Sequence, residues 1–237
     1  MNPAAGLRAV IESPAAGIVL TLVVYWLAQK LWLRTRRFAL LHPVPVSIVV
    51  IAVTIEALGI SYETYMQGAR FIDLLLGPAT VALALPLYRQ RAAVREAGLM
   101  VIAATVLGSA LAIAAGYLVT LNLGGSDALA LSMAPKSVTT PVAIELSAMI
   151  GGIPPLTIIF VIIAGTLGAA AGPSLLTLMR VDDPRVRGLA IGLSSHGVGT
   201  ARALQESEQA GAFSGLSMAL TALFTSLVMS PVIALLT

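Results

Sequence analysis

The chain alternates long apolar runs with short clusters of charge. No charged residue occurs in the 30 positions between Glu96 and Asp127, the 34 between Glu145 and Arg180, or the 29 after Glu208. Each run exceeds the roughly 20 apolar residues that a helix needs to cross the hydrocarbon core of a bilayer. Shorter charge-free runs lie between Glu12 and Lys30, Arg37 and Glu56, and Asp73 and Arg89. This pattern predicts helices near 14–33, 43–59, 93–121, 154–179 and 211–236. Three less regular apolar segments, 69–89, 127–151 and 185–206, fall between them. The first run is of spanning length, longer than the core of a cleavable signal, and reads as an inserted helix.

Composition narrows the class. Hydrophobic residues make up 58% of the chain and charged residues 11%, against about 25% charged in a soluble domain. So few charges cannot cover a soluble surface, which excludes a soluble enzyme; a disordered chain needs the opposite balance. Cysteine is absent and the two histidines lie far apart, so no cofactor and no metal site is indicated. The net charge of +3 is small and dispersed, unlike a nucleic-acid footprint. The expectation is an all-α polytopic membrane protein with about five to eight transmembrane segments. It is read as a single integral membrane domain over 1–237. Helices up to about residue 65 would form a scaffold or oligomerisation part, and 66–237 a core of broken helices.

Positive charge near a span marks its cytoplasmic side. Lys30, Arg34, Arg36 and Arg37 follow the first helix, so the N-terminus is expected outside a multi-pass protein of the cell's inner (plasma) membrane. Arg89, Arg91 and Arg95 mark a second cytoplasmic loop, and Arg180, Arg185 and Arg187 a third; Glu63 and Asp127 fall in loops expected outside. If every segment crossed the bilayer, the 180–187 loop would lie outside, against the rule. It becomes cytoplasmic if 127–151 dips in and returns as a re-entrant pair of half-helices, reversing near Pro135.

Three segments share a pattern at spacings of about 60 residues. They are Gly77-Pro78-Ala79-Thr80-Val81-Ala82, Lys136-Ser137-Val138-Thr139-Thr140-Pro141 and His196-Gly197-Val198-Gly199-Thr200-Ala201. Each sets a hydroxyl beside helix breakers. The helices after the first two also align, as Ala104–Ala110 with Ala164–Ala170. Small residues recur every four positions at Gly108, Ala112 and Gly116, and at Ala164, Gly168 and Gly172, a spacing that lets helices pack closely in lipid. Broken helices meeting within the membrane point to a transporter-like core with internal, inverted repeats, because exposed backbone groups are tolerated there only around a cavity or buried protein.

Ionisable groups inside apolar segments are costly, and each is a functional candidate. Lys136 follows Pro135, with Ser137, Thr139 and Thr140 around it; its ammonium can attract an anion or snorkel to the interface. His196 follows Ser194 and Ser195 and precedes Thr200. Neighbouring serine and histidine are not a catalytic triad, and no G-x-S-x-G elbow is present, so no enzyme is expected. The histidine either contacts substrate and a proton or is satisfied by packing. The guanidinium of Arg202 can grip a carboxylate in two-pronged fashion or mark a membrane boundary. Glu145 can pair with Lys136 or Arg202, or carry a coupling proton. Asp73, just before Gly77, Pro78 and Thr80, is either a helix cap or a site residue, and Glu56 reads as an interfacial charge.

The stretches Leu76–Ala84, Pro135–Ala143, Ser195–Ala203 and Gly211–Leu216 resemble signatures of the LrgB/CidB family of antiholin-like membrane proteins, over roughly residues 40–237. The resemblance implies two activities. One is holin-like or antiholin-like control of murein hydrolases and cell lysis. The other is transport of small organic acids, since a plant plastid relative is similar to a glycolate/glycerate translocator and bacterial relatives are linked to pyruvate. It also implies a small membrane partner of the LrgA/CidA type and a homo-oligomer in the lipid bilayer. A pore formed by aggregation needs apolar helices and little else. It does not require a lysine, a histidine and an arginine at helix breaks. Transport of a small monocarboxylate, by an elevator-like movement and coupled to a proton or cation, is therefore the favoured expectation. A lysis regulator is the alternative, and a scaffold for a partner is weaker still.

Overall fold

The structure, a computed structural model, describes residues 13–35, 41–75, 78, 81, 82 and 84–234. The described residues fall into two compact units, one up to Ala82 and one beyond it, a division later in the chain than the expected boundary near residue 65. Among the described residues, four helices are long and apolar enough to cross a membrane, with a fifth, shorter apolar helix at Pro43–Ala57.

The first unit holds α1 (Pro14–Arg34), α2 (Pro43–Ala57) and α3 (Tyr62–Asp73). α1 packs against both others. Gly17 on α1 and Gly68 on α3 bring the two backbones together, since a Cβ on Gly17 would stand 3.3 Å from the Gly68 Cα. Thr21 and Tyr65 share a hydrogen bond of 2.8 Å one turn further along α1. Trp32 is buried edge-on against His42, ring centres 5.2 Å apart.

The second unit holds α4 (Ala84–Arg89), α5 (Arg91–Asn122), α6 (Asp127–Met133), α7 (Thr140–Met149), α8 (Pro154–Leu178), α9 (Pro184–Leu204) and α10 (Glu208–Ala234). α5, α8 and α10 are the long apolar helices of this unit. The predicted long helices agree with α1, α2, α5, α8 and α10 within three residues at almost every end. Two expectations are corrected. Glu63 and Asp127 are not in loops; each sits in the first turn of a helix, α3 and α6, behind a serine cap, Ser61 or Ser126. Carboxylates favour that position because the unpaired N–H groups of a helix start carry partial positive charge. The arginines at 89–95 do not line a loop either, because α4 gives way to α5 across Gln90 alone.

The irregular segment 127–151 folds back on itself. α6 and α7 are joined by a turn at 134–139, and Pro135 and Pro141 deny the backbone the hydrogen bonds a continuous helix would need there. The hydroxyl of Thr157 on α8 lies 3.0 Å from the Ser132 carbonyl and 2.7 Å from the Ser147 hydroxyl. A straight helix would separate residues 132 and 147 by about 22 Å. The Ile153 N–H then closes the base on the Ser132 hydroxyl at 2.7 Å.

α9 folds back as well, at a single residue. His196 has φ 40° and ψ −134°, outside helical geometry. Arg187 Nε and Glu206 Oε2 are 3.0 Å apart, where a straight helix would hold them about 28 Å apart. The arms close on each other through Ile191 against Ala203 and Gly199. The two reversals are called hairpin 1 (127–153) and hairpin 2 (184–206) below.

Candidate functional site at the hairpin tips

Both hairpins are laid along α8, from opposite ends. Hairpin 1 touches its start, through Thr157 and then Val161, which packs with Ala134 and Val138 of the turn and with Ala143 of α7. Hairpin 2 touches its end. Arg187 donates to the carbonyl of Pro173 at 3.1 Å, Ile191 reaches Gly172, Ser195 lies on Gly168, and the His196 ring lies on Gly165. The tips therefore converge at one level. His196 Nε2 donates to the carbonyl of Val161 at 3.0 Å, the same residue whose side chain touches the tip of hairpin 1.

Two glycines let the tips come so close: Gly116, one of the small residues read from the sequence, and Gly165, next to the Ala164 read there. A Cβ on Gly165 would stand 2.5 Å from His196 Nε2, and one on Gly116 would stand 2.7 Å from Lys136 Nζ. Gly165, Gly168 and Gly172 thus make the seat for hairpin 2 on α8, and Ala112 and Gly116 the seat for the Lys136 tip on α5. Lys136 Nζ donates to the Ala112 carbonyl at 2.9 Å. An ammonium has three N–H donors, so this bond anchors the side chain without exhausting it.

Each tip is also a helix start. α7 begins at Thr140, and the Thr139 side chain makes no capping bond to it. The second arm of hairpin 2 begins after His196, at Gly197. Helix starts carry unpaired N–H groups and partial positive charge, which suits an anion.

The candidate residues separate into groups. Lys136, Ser137, Thr139 and Thr140 belong to the tip of hairpin 1, with Ser137 buried. Ser195 and His196 are buried at the tip of hairpin 2. Ser194 is exposed there and shares a 3.1 Å bond with Ser195. Thr200 is buried one turn further on, against Ser214 of α10 at 2.9 Å. Arg202 is not brought to the tips: it lies six residues beyond His196, about 9 Å along the arm. There it faces Glu206 at 3.6 Å, the acid that Arg187 also holds. Glu145 is exposed on α7, and Glu56 is exposed near the end of α2. Asp73 ends α3. Pro78 is helical, while Gly77 and Thr80 lie outside the described residues.

Sequence reading missed two sets of residues. One is the trio of buried hydroxyls Ser132, Ser147 and Thr157 that ties hairpin 1 to α8. The other is the buried row Ser214, Ser217, Thr221 and Thr225 on α10. The row had a legible signal, since steps of three and four residues keep hydroxyls on one helical face. The trio had none, because its members come from three helices.

The chain matches the LrgB-like family over residues 21–235. It belongs to that family. The protein YxaC of Bacillus subtilis (strain 168) is 38% identical over 211 residues, covering 88% of this chain and 90% of its own length. The holin-like protein CidB of Staphylococcus aureus (strain Mu50) is 34% identical over 219 residues, covering 92% of this chain and 95% of its own. A protein of Haemophilus influenzae is 32% identical over 208 residues. No solved structure matches the chain. Membership and the four long apolar helices together make this LrgB-like chain a helical membrane protein.

Proposed function

We propose that this LrgB-like protein transports a small monocarboxylate of the glycolate, glycerate, pyruvate or lactate type across the cell membrane. The observation that carries the reading is the meeting of two opposed hairpins at Val161 of α8. Hairpins entering from opposite sides and ending at the midplane are a transporter's way of presenting backbone and side-chain groups to a solute. In this reading hairpin 1 re-enters from outside, hairpin 2 from the arginine-rich cytoplasmic side, and the segments form an inverted repeat. A carboxylate sits between the tips, facing Lys136 and the starts of α7 and the second arm of hairpin 2. Ser137, Thr139, Thr140 and Ser195 take a substrate hydroxyl or keto oxygen, and His196 carries the coupling proton. Arg202, held by Glu206, supports the arm rather than gripping the substrate.

A second reading has the relatives' name behind it. CidB is called holin-like, and that name supports control of cell lysis, with transport secondary or absent. The two readings separate in vesicles containing only this protein. Transport predicts saturable uptake of a labelled monocarboxylate and no leak of a dye of several hundred daltons. Losing one partner of a buried charged contact costs about 2–5 kcal/mol, so Lys136→Ala should cut uptake roughly 30-fold or more. His196→Ala should alter its pH dependence. Dye leak without saturable uptake, or normal uptake by Lys136→Ala, overturns the transport site.

A further inference from the structure

A cavity of about 660 Å³ lies between α5, the first arm of hairpin 2 and α10, apart from the tips. One end carries Asp183, the N-cap of α9, and Arg185 in its first turn. They are paired at 2.8 Å, and Glu96 of α5 adds its charge to their surroundings. The walls run along α5 from Ala97 to Thr105, about 12 Å of helix. The other end is lined by Leu193, whose side chain rests on Gly108. Leu193 lies three residues before His196, so the cavity stops within one turn of the tip of hairpin 2.

Two polar groups mark the inner half. Ser217 spends its hydroxyl on the carbonyl of Leu189 at 2.9 Å. Thr105, 1% exposed, lines the cavity, and its hydroxyl has no hydrogen-bond partner. A buried hydroxyl left unpaired costs free energy, so this position calls for a polar visitor. Leu193 on a bare glycine is an apolar contact between two helices, and an apolar constriction can stop ions and water by dewetting.

We infer that this cavity is the aqueous vestibule through which the carboxylate passes between the Arg185 end and the tips. Thr105 is its hydrogen-bonding station and the Leu193–Gly108 contact its gate. The inference rests on the transport reading.

The cysteine-free chain allows a direct test in sealed vesicles containing full-length protein. Single cysteines are placed at Thr105, or at Ser217 should the first fail to fold, at Ala112 one turn beyond the gate, and at Asp182 as the control for the Arg185 side. A charged, membrane-impermeant methanethiosulfonate is added from one side at a time. The expected result is labelling of Thr105→Cys only from the side that labels Asp182→Cys. Ala112→Cys should remain unlabelled from that side until Leu193→Ala is added, which should speed its reaction at least tenfold. Labelling of Thr105→Cys by lipid-soluble N-ethylmaleimide but not by the charged reagent would mean that lipid fills the cavity, and overturns the vestibule. An Ala112→Cys rate unchanged by both Leu193→Ala and Leu193→Ser overturns the gate. Labelling is read apart from uptake. A closed Thr105 in vesicles that take up carboxylate normally removes the vestibule alone. Gated labelling in vesicles that take up nothing removes the transport reading, and the vestibule's role with it.

Discussion

Hairpin 1 and hairpin 2 make the same turn on the same helix with different chemistry. Hairpin 1 reverses over the six residues 134–139, with Pro135 inside the turn and Pro141 just after it, and is tied to α8 by hydroxyls without a charge. Hairpin 2 reverses at one residue, His196, and is locked at its open end by Arg187. That guanidinium bonds Glu206 of the other arm and the carbonyls of Pro173 and Val181 at 3.0–3.2 Å. The second carbonyl belongs to the turn after α8, so one side chain joins three pieces of chain. The difference follows from place. At the end of α8 the Arg187 and Glu206 side chains are only 13% and 17% exposed, and the carbonyl bonds of the guanidinium offset their desolvation, whereas at the start of α8 neutral hydroxyls cost less to bury than charges. Glycines do the rest in both cases by letting backbones touch.

That contrast can be broken most forcefully at Arg187. Arg187→Ala leaves Glu206 half-buried beside Arg202, and should destabilise the protein by about 3 kcal/mol. A large drop in thermal midpoint in detergent is expected, together with faster proteolysis between residues 180 and 208. An unchanged midpoint would mean that hairpin 2 is held by packing alone.

The matching test of hairpin 1 is Thr157→Val, which keeps the shape and deletes the shared hydroxyl. The Ser132 carbonyl and the Ser147 hydroxyl then lose their partner, at a cost of about 1–3 kcal/mol. Because no charge is involved, the loss should not vary between pH 4 and pH 8. A loss that does vary would put an ionisable group at the base of hairpin 1.

His196 sharpens the comparison at the tips. Its φ of 40° suits glycine better than any other residue. His196→Ala loses the ring bond to Val161 and keeps the strain, whereas His196→Gly loses the bond and releases it. The glycine variant should be more stable than the alanine variant by about 1 kcal/mol, read as a higher midpoint, while both lose the wild-type pH dependence of uptake. Equal midpoints would argue that the arm relaxes away from this geometry.

The smallest effect is expected at Asp183, which caps α9 through Arg185. Its side chain accepts from the Arg185 backbone at 2.8 Å and from the guanidinium, and those bonds hold its carboxyl below the usual range. A lowered carboxyl stabilises the fold above the unfolded value of about 3.9, and that contribution is lost as pH falls through the lower folded value. Asp183→Asn should therefore differ slightly from wild type at neutral pH and merge with it in strong acid. A gap that widens in acid would contradict the pairing.

Much of this protein was legible in the order of its residues. Charge-free runs set five of the helices, since a bilayer leaves helical pairing as the only outlet for backbone groups over such lengths. Pro135 announced the reversal of hairpin 1, because proline both lacks a donor and clashes with a continuing helix. The small residues of α5 and α8 marked surfaces where something packs closely. The motifs at Lys136 and His196 were found as breaks, and they are the two tips.

Other features belong to the tertiary structure alone. Gly197 and Gly199 hinted at a weak helix, yet which residue takes the positive φ is decided by the seat for the ring at Gly165 and the Val161 carbonyl. Arg202 looked like an anion ligand because its neighbours in sequence are apolar. Its neighbour is Glu206, four residues on and so within reach along the arm itself; what folding of hairpin 2 adds is Arg187, nineteen residues back, on the same carboxylate. The trio at Thr157 joins residues 10 to 25 positions apart, and the contact of Leu193 with Gly108 spans 85 positions. Local sequence fixes which backbone groups pair within a segment and which segments enter lipid. It says nothing of which helix each segment will lie against, and buried polar groups take their roles from that neighbour.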